Sequence, residues 1–472
     1  MKNLEERLIE FSTSTLVASL LVPWLAYGSS RALDAAEHTN VVIIFADDLG
    51  YGDIGCFGLP EYGRFKTPAL DRMATEGVRL TRFYVPMPYC APSRASLLTG
   101  RYPFRNGMMG NPHPGRYGDV GIGDSEVLLG EALGDAGYKT ICIGKWHLGH
   151  RDQFLPRRHG FDEFYGMLYS NDMPPIRLYE GEQIIEYPVV QATLTKRYTS
   201  RALRFIEENR YRPFFLYLAH AMPHKPLACS EDFYGKSGAG LYGDVIAELD
   251  WSVDQVLSKL KELGLQRATV VIFTSDNGPY FGGSTGGLRG MKDYTFEGGV
   301  RVPMIAWWPG RIPAGHVSDE IAGTIDVLPT ILRAAGVDLP KDRRLDGRDI
   351  MSLLTSDASS PHQALLAMRG RRLMTICDGR WRLHVRAPVK PSWHPDYTDQ
   401  WVDENLPDGV TILAPFEQCK ASQFPGVRTG DPPTAMMLFD LKSDPAEQHD
   451  VANANPDVVQ RLKILFDQTS FR

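Results

Sequence analysis

The stretch Val41-Val-Ile-Ile-Phe-Ala46, followed at once by Asp47 and Asp48, is the part of the chain that best predicts the fold. A short apolar run that is rich in Val and Ile, without polar alternation, is typical of a strand buried on both faces of a parallel sheet. Three further runs have the same form and also end in polar residues. They are residues 140–143 before Lys145 and His147, residues 214–219 before His220 and His224, and residues 269–274 before Asp276 and Asn277.

A long amphipathic pattern over residues 242–263 predicts a helix that ends at Gly264. Strands that alternate with such helices indicate an α/β domain with a large, mostly parallel central sheet flanked by helices. We place this α/β domain at residues 37–360, because residues 355–361 are polar and loop-like. Ligands of such sheets bind beyond the carboxyl ends of the strands, so we expect the polar residues to meet at one edge.

The remainder, residues 361–472, predicts a smaller C-terminal subdomain with an antiparallel sheet and a closing helix. Strand-like runs at 373–377 and 381–385 are separated by Asp378-Gly379, which is a hairpin signal. Residues 437–441 predict another strand, and residues 457–466 predict the helix. The aromatic-rich segment at 390–416 either stacks on sugar rings or holds a long loop together.

Composition and charge exclude several classes of function. The 472 residues are 43% hydrophobic with a net charge of −6, and no basic run suggests a nucleic-acid partner. Residues 1–36 predict a signal peptide and leader, because residues 16–27 are apolar but too short to span a membrane. Glu5, Glu6 and Glu10 offset the basic residues that precede this stretch. We predict a periplasmic or secreted protein without stable membrane insertion.

Asp47, Asp48, Asp276 and Asn277 together offer three carboxylates and one amide. Such hard oxygen donors suit calcium or magnesium rather than zinc. Adjacent aspartates also cap turns at strand ends, but two polar pairs on separate strands favour a metal site.

The segment Cys90-Ala-Pro-Ser-Arg94, continuing to Leu97-Leu-Thr-Gly-Arg101, carries the strongest functional signal. Residues 91–99 predict a helix that ends at Gly100, with Cys90 at its N-terminus. Free N–H groups and the helix dipole favour negative charge there, and Arg94 can offer a forked donor to an oxyanion. The segment therefore indicates an anion-handling site, although a lone cysteine is more often a small buried hydrophobe.

This segment resembles the signature of the type I sulfatases, whose cysteine is oxidised after translation to formylglycine. The resemblance covers nearly all of the chain from Val41 onward and implies an alkaline-phosphatase-like fold. It implies that residue 90, as a gem-diol, attacks sulfur through one hydroxyl and expels sulfate with the other. It also implies a formylglycine-generating or radical maturation enzyme as a partner. By the same resemblance, calcium is held by Asp47, Asp48, Asp276 and Asn277, with residue 90 completing the shell.

Three other local patterns resemble sulfatase segments. They are Gly144-Lys-Trp-His-Leu-Gly149, His220-Ala-Met-Pro-His-Lys-Pro226 and Gly290-Met-Lys-Asp-Tyr-Thr-Phe-Glu-Gly-Gly-Val-Arg301. By this resemblance, Lys145 and Lys292 bind sulfate oxygens, and Ser170 matches a weaker position near the sulfate. His224 assists the leaving oxygen, and His147 takes the proton when the gem-diol collapses. We interpret His220 as structural.

We therefore predict a calcium-dependent sulfatase of the arylsulfatase A or galactosamine-6-sulfatase type. Sulfated carbohydrates or glycolipids are the expected substrates, with aryl sulfates accepted in vitro. The alternatives are a phosphate- or phosphonate-ester hydrolase of the same superfamily and a sulfated-glycan-binding protein in which Cys90 is never converted. Loops at residues 169–187 and 280–289, together with the segment after Lys390, are the expected walls of the substrate pocket.

Overall fold

The structure is a computed structural model that describes residues 38–58, 65–114, 120–280, 282–388 and 429–471. The leader predicted at residues 1–36 lies outside these ranges, as does the aromatic segment at 390–416. The five cysteines within the ranges are all unpaired. No helix in the described part of the chain has the length and hydropathy needed to cross a membrane.

Ten strands of the described residues form the larger sheet. In chain order they are β1 (Asn40–Ala46), β2 (Val78–Tyr84), β3 (Lys139–Lys145), β4 (Glu163–Met167), β5 (Leu178–Glu180), β6 (Gln183–Glu186), β7 (Phe214–Ala219), β8 (Thr269–Ser275), β9 (Arg301–Trp307) and β10 (His316–Gly323). Their order across the sheet is β10-β2-β9-β8-β1-β7-β3-β4-β5-β6. The four predicted strands, β8, β1, β7 and β3, are parallel neighbours at its centre. β9 is antiparallel to both of its neighbours, so the sheet is mixed but mostly parallel, as predicted.

Helices cover both faces of this sheet. The described helices are α1 (Pro68–Glu76), α2 (Cys90–Thr99), α3 (Pro103–Asn106), α4 (Leu129–Asp135), α5 (Leu194–Glu208), α6 (Gly240–Glu262), α7 (Glu297–Val300), α8 (Val327–Ala334), α9 (Met351–Thr355) and α10 (Pro456–Phe471). The predicted helix at 242–263 corresponds to α6. Its apolar stripe, which includes Leu249 and Val253, is buried.

The central strands are buried on both faces, which explains why their apolar residues do not alternate with polar ones. In β1, Val41, Ile43 and Phe45 belong to one hydrophobic cluster together with residues of α2, α4 and α8. Val42 and Ile44 belong to a second cluster, which contains residues of α1, α5 and α6. Burial of both faces removes these strands from water. The packing on either side also holds the strand ends in position.

A second, four-stranded antiparallel sheet follows. Its strands, in spatial order, are β11 (Leu365–Arg369), β12 (Arg372–Cys377), β13 (Trp381–His384) and β14 (Met437–Asp440). Gly379 has φ +97° in the predicted hairpin between β12 and β13, a conformation that favours glycine. The predicted antiparallel sheet and closing helix are confirmed, and β11 was not predicted. The proposed boundary at residue 360 lies between Gly323, where β10 ends, and Leu365, where β11 begins.

A buried ionic cluster joins the two sheets. The Arg382 guanidinium on β13 donates to Glu297 of α7, and Arg301 donates to the other oxygen of Glu297 over 3.1 Å. Glu447 accepts from the backbone N–H of Glu297 over 2.5 Å and lies 2.7 Å from His384 Nε2. Burial alone raises the pKa of Glu297, but the Arg382 and Arg301 guanidinium groups lower it below its ordinary value. Charged groups this deeply buried stabilise a protein only while all of them remain paired.

Candidate active site

The carboxyl ends of β1, β3, β7 and β8 deliver polar side chains to one edge of the larger sheet. Asp47 and Asp48 follow β1, and Asp276 and Asn277 follow β8, which is paired in parallel with β1. Lys145 is the last residue of β3, and His224 lies beyond β7. The strand order therefore brings together the residues that the sequence predicts for the site. All of these side chains are buried.

α2 begins at Cys90, one residue before the predicted helix, and ends at Gly100, whose φ is +67°. Every residue of α2 is buried, including Arg94. Backbone N–H groups in the first turn of a helix have no partner within the helix. One of them, the N–H of Ala91, donates to Asn111 Oδ1 over 2.9 Å. Cys90 therefore lies at the buried N-terminus of this helix.

Two lysines and one arginine hold the aspartates in place. Lys145 Nζ donates to Asp47 Oδ2 over 2.5 Å, and Lys292 Nζ donates to Asp48 Oδ2 over 2.7 Å. Burial alone raises the pKa of Asp47, but Lys145 and other nearby cations lower it well below its ordinary value. Both lysines keep a raised pKa because these carboxylates outweigh the effect of burial. The site therefore places two ammonium groups beside two carboxylates in a buried region.

Arg94 contacts carboxylates rather than open space. Its Nη2 lies 2.7 Å from Asp276 Oδ2 and 3.4 Å from Asp47 Oδ2, and its Nη1 donates to the Lys145 carbonyl over 3.2 Å. The sequence predicts that this group would serve an oxyanion. In the structure its fork bridges two of the acidic side chains, so it positions them.

The acidic residues have the atoms that a hard cation requires. Asn277 Nδ2 donates to Asp48 Oδ1 over 2.7 Å, while Asn277 Oδ1 and Asp47 Oδ1 are buried and have no hydrogen-bond partner. Ligand atoms of Asp47, Asp48, Cys90 and His224 all lie within 4.8 Å of one another. Burial and the neighbouring Asp47 raise the pKa of Asp276 to about 7. Unpartnered oxygens and crowded carboxylates fit a divalent cation that binds oxygen.

His224 faces this cluster through one ring nitrogen. Its Nδ1 lies 2.6 Å from the Lys225 carbonyl, so Nδ1 carries a proton and donates it. Its Nε2 lies 3.5 Å from Ser170 Oγ and 3.6 Å from Asp48 Oδ2. Lys145 Nζ also donates to Ser170 Oγ over 3.0 Å, so Ser170 links the lysine to the histidine.

His147 is buried with no hydrogen-bond partner at either ring nitrogen. Burial, together with the positive charges of Lys145 and Arg94, lowers its pKa well below the ordinary value, so the ring is neutral. Its backbone has φ +57°, and Asp48 has φ +60°. This left-handed region is uncommon for residues other than glycine.

Cys90 itself is not an activated thiolate. Burial raises the pKa of the Cys90 thiol to about 12, although Lys145 and Lys292 act in the opposite direction. Since only the thiolate is strongly nucleophilic, unmodified Cys90 is a poor nucleophile at neutral pH.

His220, interpreted as structural, lies outside this cluster. Its Nε2 is 3.1 Å from Ser252 Oγ on α6, and burial lowers its pKa to about 3. It therefore joins β7 to α6 as a neutral group.

Two residues near the site were not predicted. Asn171 Nδ2 donates to the carbonyls of His224 and Pro226 over 3.2 Å each, so it fixes the loop that carries His224. Asp293 follows Lys292, has φ +73° and is buried with Oδ2 lacking a partner. Burial raises the pKa of Asp293 to about 7. Its only sequence signal was its position beside Lys292.

Two cavities adjoin the site. The smaller, about 240 Å³, is lined by Ser170 and by residues of the predicted wall at 169–187, including Tyr169 and Arg177. The larger, about 610 Å³, is lined by Tyr89, Asp293 and arginines of the second sheet. The second sheet was not predicted to line the pocket.

Comparison with known proteins gave consistent matches. The family model described as Sulfatase matches residues 39–337. N-acetylgalactosamine-6-sulfatase of Rattus norvegicus is 37% identical, covering 97% of this chain and 90% of that protein. Arylsulfatase A of Homo sapiens is 38% identical, covering 92% and 88% respectively. The solved structure of a sulfatase from Pseudoalteromonas sp. has a TM-score of 0.75 at 26% identity and covers 92% of this chain and 90% of that chain.

Proposed function

The chain belongs to the sulfatase family, and we propose that it hydrolyses sulfate esters to an alcohol and inorganic sulfate, using calcium and a formylglycine made from Cys90. The observation that carries this proposal is the buried cluster in which Cys90 lies with Asp47, Asp48 and His224. Lys145 and Lys292 border the cluster. A thiol, hard oxygen donors and two ammonium groups at one point suit a tetrahedral oxyanion better than they suit any neutral substrate.

Asp47, Asp48, Asp276 and Asn277 would hold the calcium ion. The unpartnered oxygens of Asp47 and Asn277 support this assignment, because buried oxygens without donors are costly unless a cation binds them. When bound, calcium acts as a Lewis acid that polarises a sulfate oxygen. Arg94 keeps Asp47 and Asp276 at a fixed separation by bonding to both.

Formylglycine supplies a hydrated aldehyde, in which one hydroxyl attacks sulfur and the other allows sulfate to leave. The raised pKa of the Cys90 thiol supports the need for this conversion, since the thiol stays protonated. Cys90 is only 1% exposed. We therefore propose that a formylglycine-generating or radical maturation enzyme acts on the chain before it folds.

Lys145, Lys292 and Ser170 would bind the sulfate oxygens. Each lysine bonds to an aspartate and can also donate to an anion, because an ammonium group has three protons. Ser170 Oγ accepts a hydrogen bond from Lys145, so its own hydroxyl proton points away from Lys145 and can be donated to another group.

The two histidines would handle different protons. His224 Nε2 would protonate the leaving oxygen, since Nδ1 is occupied by the Lys225 carbonyl. His147 is neutral and has two unpartnered ring nitrogens, so it can accept a proton from residue 90.

The alcohol part of the substrate would be a sulfated carbohydrate or glycolipid, and aryl sulfates would serve as artificial substrates. The names of the relatives, N-acetylgalactosamine-6-sulfatase and arylsulfatase A, support the sulfated-carbohydrate and aryl-sulfate classes. The apolar stretch at residues 16–27 supports export to the periplasm or beyond, without stable membrane insertion.

The experiment that tests this proposal replaces Cys90 with serine. We expect Cys90→Ser to fold but to lose multiple turnover, because a sulfated serine has no second hydroxyl with which to release sulfate. The measurement is sulfate release from nitrophenyl sulfate, and the mass of the tryptic peptide from Phe83 to Arg94 reports the conversion of Cys90. Cys56→Ser is the control, because Cys56 is partly exposed and lies outside the cluster.

Sustained turnover by Cys90→Ser would contradict the proposed mechanism. If the protein hydrolyses nitrophenyl phosphate faster than nitrophenyl sulfate, the chain is a phosphate-ester hydrolase instead. An unconverted Cys90 in active protein would remove formylglycine from the proposal.

A further inference from the structure

The larger cavity has a volume of about 610 Å³ and lies beside the candidate active site. Tyr89, which precedes Cys90, and Asp293, which follows Lys292, both line it. The cavity is therefore next to the position at which Cys90 and Lys292 would meet a sulfate group. The volume lies within the range of pockets that enclose small organic ligands, so it can hold one or two sugar rings.

The opposite wall comes from the hairpin of β11 and β12 in the second sheet. The N–H of Met368 on β11 donates to the Pro86 carbonyl over 2.8 Å, and the N–H of Asp293 donates to the Pro88 carbonyl over 3.0 Å. Both walls of the cavity are thus bonded to the same short loop that leads into Cys90. The distance between the hairpin and the reacting residue is therefore fixed by the backbone.

The charge of this wall is strongly positive. Arg369, Arg372 and Arg386 line the cavity, and among the described residues Asp293 is its one acidic lining residue. Arg369 acts electrostatically on Asp293, whereas Arg372 and Arg386 are exposed to solvent. The Nε–H of Arg386 donates to the Leu373 carbonyl over 3.1 Å, and its terminal nitrogens remain available as donors. Three guanidinium groups beside one carboxyl leave an excess of positive charge with the forked geometry that suits carboxylates and sulfates.

We propose that this cavity binds the alcohol part of the substrate and that Arg372 and Arg386 bind a second anionic group, a sulfate or a carboxylate, on that alcohol. The inference rests on the proposed sulfatase function and narrows its substrate class to sugars with at least two negative charges. Apolar lining residues such as Met109 and Met374 would contact the ring between the two charges.

The test compares three probes that share one scissile sulfate. They are N-acetylgalactosamine 6-sulfate, N-acetylgalactosamine 4,6-disulfate, and the disaccharide of glucuronate and N-acetylgalactosamine 6-sulfate. The second probe adds a sulfate and the third adds a carboxylate, so they distinguish the two sources of charge. Sulfate release gives kcat/KM for each, and nitrophenyl sulfate reports the basal reaction. Binding of the same probes to Cys90→Ala protein, measured by calorimetry, needs no turnover.

We expect the wild-type protein to favour at least one doubly charged probe by about tenfold to a hundredfold, mainly through KM, as for a hydrogen bond between charged groups. Arg372→Gln and Arg386→Gln should each reduce that ratio, and high salt should do the same. Arg371→Gln is the matched control, because Arg371 lies in the same turn, is exposed and does not line the cavity. It should keep the wild-type ratio.

Equal kcat/KM and equal affinity for singly and doubly charged probes would overturn the inference, even with nitrophenyl sulfate hydrolysed normally. An equal loss of the ratio in Arg371→Gln would also overturn it, since the effect would then be one of net surface charge. If no sulfate ester is hydrolysed, the proposed function fails. Tighter binding of a doubly charged probe in calorimetry would still support the cavity assignment, and equal binding of the singly and doubly charged probes would reject it.

Discussion

At the scale of single residues, the site depends on how each histidine is bonded. His224 has its Nδ1 proton held by the Lys225 carbonyl and presents Nε2 to Ser170 and Asp48. His147 has no partner at either nitrogen, and its pKa is lowered well below the ordinary range by burial and by Lys145. The His224 ring therefore faces the acidic cluster through Nε2, whereas the His147 ring is neutral and enclosed.

This difference predicts distinct defects in the two alanine variants. His224→Ala should slow hydrolysis of alkyl and sugar sulfates by about 10²–10⁴-fold, because an alkoxide leaves poorly without a proton. Nitrophenyl sulfate should be affected less, since nitrophenolate leaves unaided. His147→Ala should bring all substrates to a similar low kcat, because its step would follow departure of the alcohol and would then limit turnover.

Steady-state rates over a series of leaving groups with different pKa values measure this prediction. The dependence of kcat on leaving-group pKa should be steeper in His224→Ala than in wild type and weaker in His147→Ala, where a step that follows departure of the alcohol would limit turnover. The same slope in both variants would mean that the two roles are wrongly assigned.

The sequence was informative for residues whose neighbours form a pattern and uninformative for residues defined by tertiary contacts. Asp47, Lys145 and Asn277 could be placed at the site because each follows a recognisable buried strand. The partner of Arg94 could not be predicted, since an arginine beside a cysteine can equally donate to a substrate or to a buried carboxylate. Asp293 was missed because its burial depends on the distant Pro88 and on the second sheet.

At the scale of elements, β1 and β8 bring their polar ends together through parallel pairing in register, with Ala46 opposite Ser275. The N–H of Asp48 donates to Asp276 Oδ1 over 3.0 Å, which bonds one strand end to the other. Three carboxylates at this junction repel one another unless cations lie between them.

Calcium should therefore stabilise this junction as well as support turnover. We expect added calcium to raise the Tm of wild-type protein after chelation, since a ligand that binds only the folded state stabilises it. Asp276→Asn should lose most of that rise along with activity, because it removes one charged ligand while keeping an acceptor for Asp48. Asp276→Ala should be less stable by about 3–5 kcal/mol, since it removes the closer of the two carboxylates that pair with the buried Arg94.

Differential scanning calorimetry with chelator and with calcium measures both effects. Asp254→Asn serves as the control, because Asp254 is partly exposed and pairs with Arg72 far from the junction. An identical Tm with and without calcium in wild-type protein, together with full activity in chelator, would exclude a calcium site here.

Two of the strands that the sequence did not reveal, β10 and β11, have weak or short patterns. β10 contains Ser318, Asp319 and Glu320, and its pairing with β2 shifts register between Ser318 and Ile321. β11 is only five residues long, and among the described strands it pairs with β12 alone. Strands of this kind form because they pair with neighbouring strands, and the local sequence contains little information about that pairing.

At the scale of the whole molecule, the two sheets are joined through Glu297, Arg382, Glu447 and His384. The same α7 that contains Glu297 follows Lys292 and Asp293, so this junction also supports the site. Because the Arg382 and Arg301 guanidinium groups lower the pKa of Glu297, its contribution to stability is fully present above the pKa of an unfolded glutamate, about 4.3. It is lost as pH falls through the lower folded value.

Glu297→Gln should therefore destabilise the protein by about 3–5 kcal/mol at neutral pH and make its stability less sensitive to acid. Urea unfolding at a series of pH values between neutral and strongly acidic measures both changes. Glu208→Gln, an exposed change on α5, should follow the wild-type curve. A Glu297→Gln protein with the wild-type slope below pH about 4 would show that acid acts elsewhere.

The left-handed backbone at Asp48 and His147 has a consequence for how this chain responds to selection. Each position costs about 1 kcal/mol that glycine would not incur. At position 48 this gain is outweighed, because glycine would leave the buried Lys292 ammonium without its carboxylate partner. The His147 ring has no hydrogen-bond partner, so a library selected only for survival at high temperature should accumulate glycine at position 147. A library selected for sulfate release should retain the histidine. Heat resistance and turnover thus favour different residues at this one position, so thermal improvement of this enzyme has to be sought elsewhere.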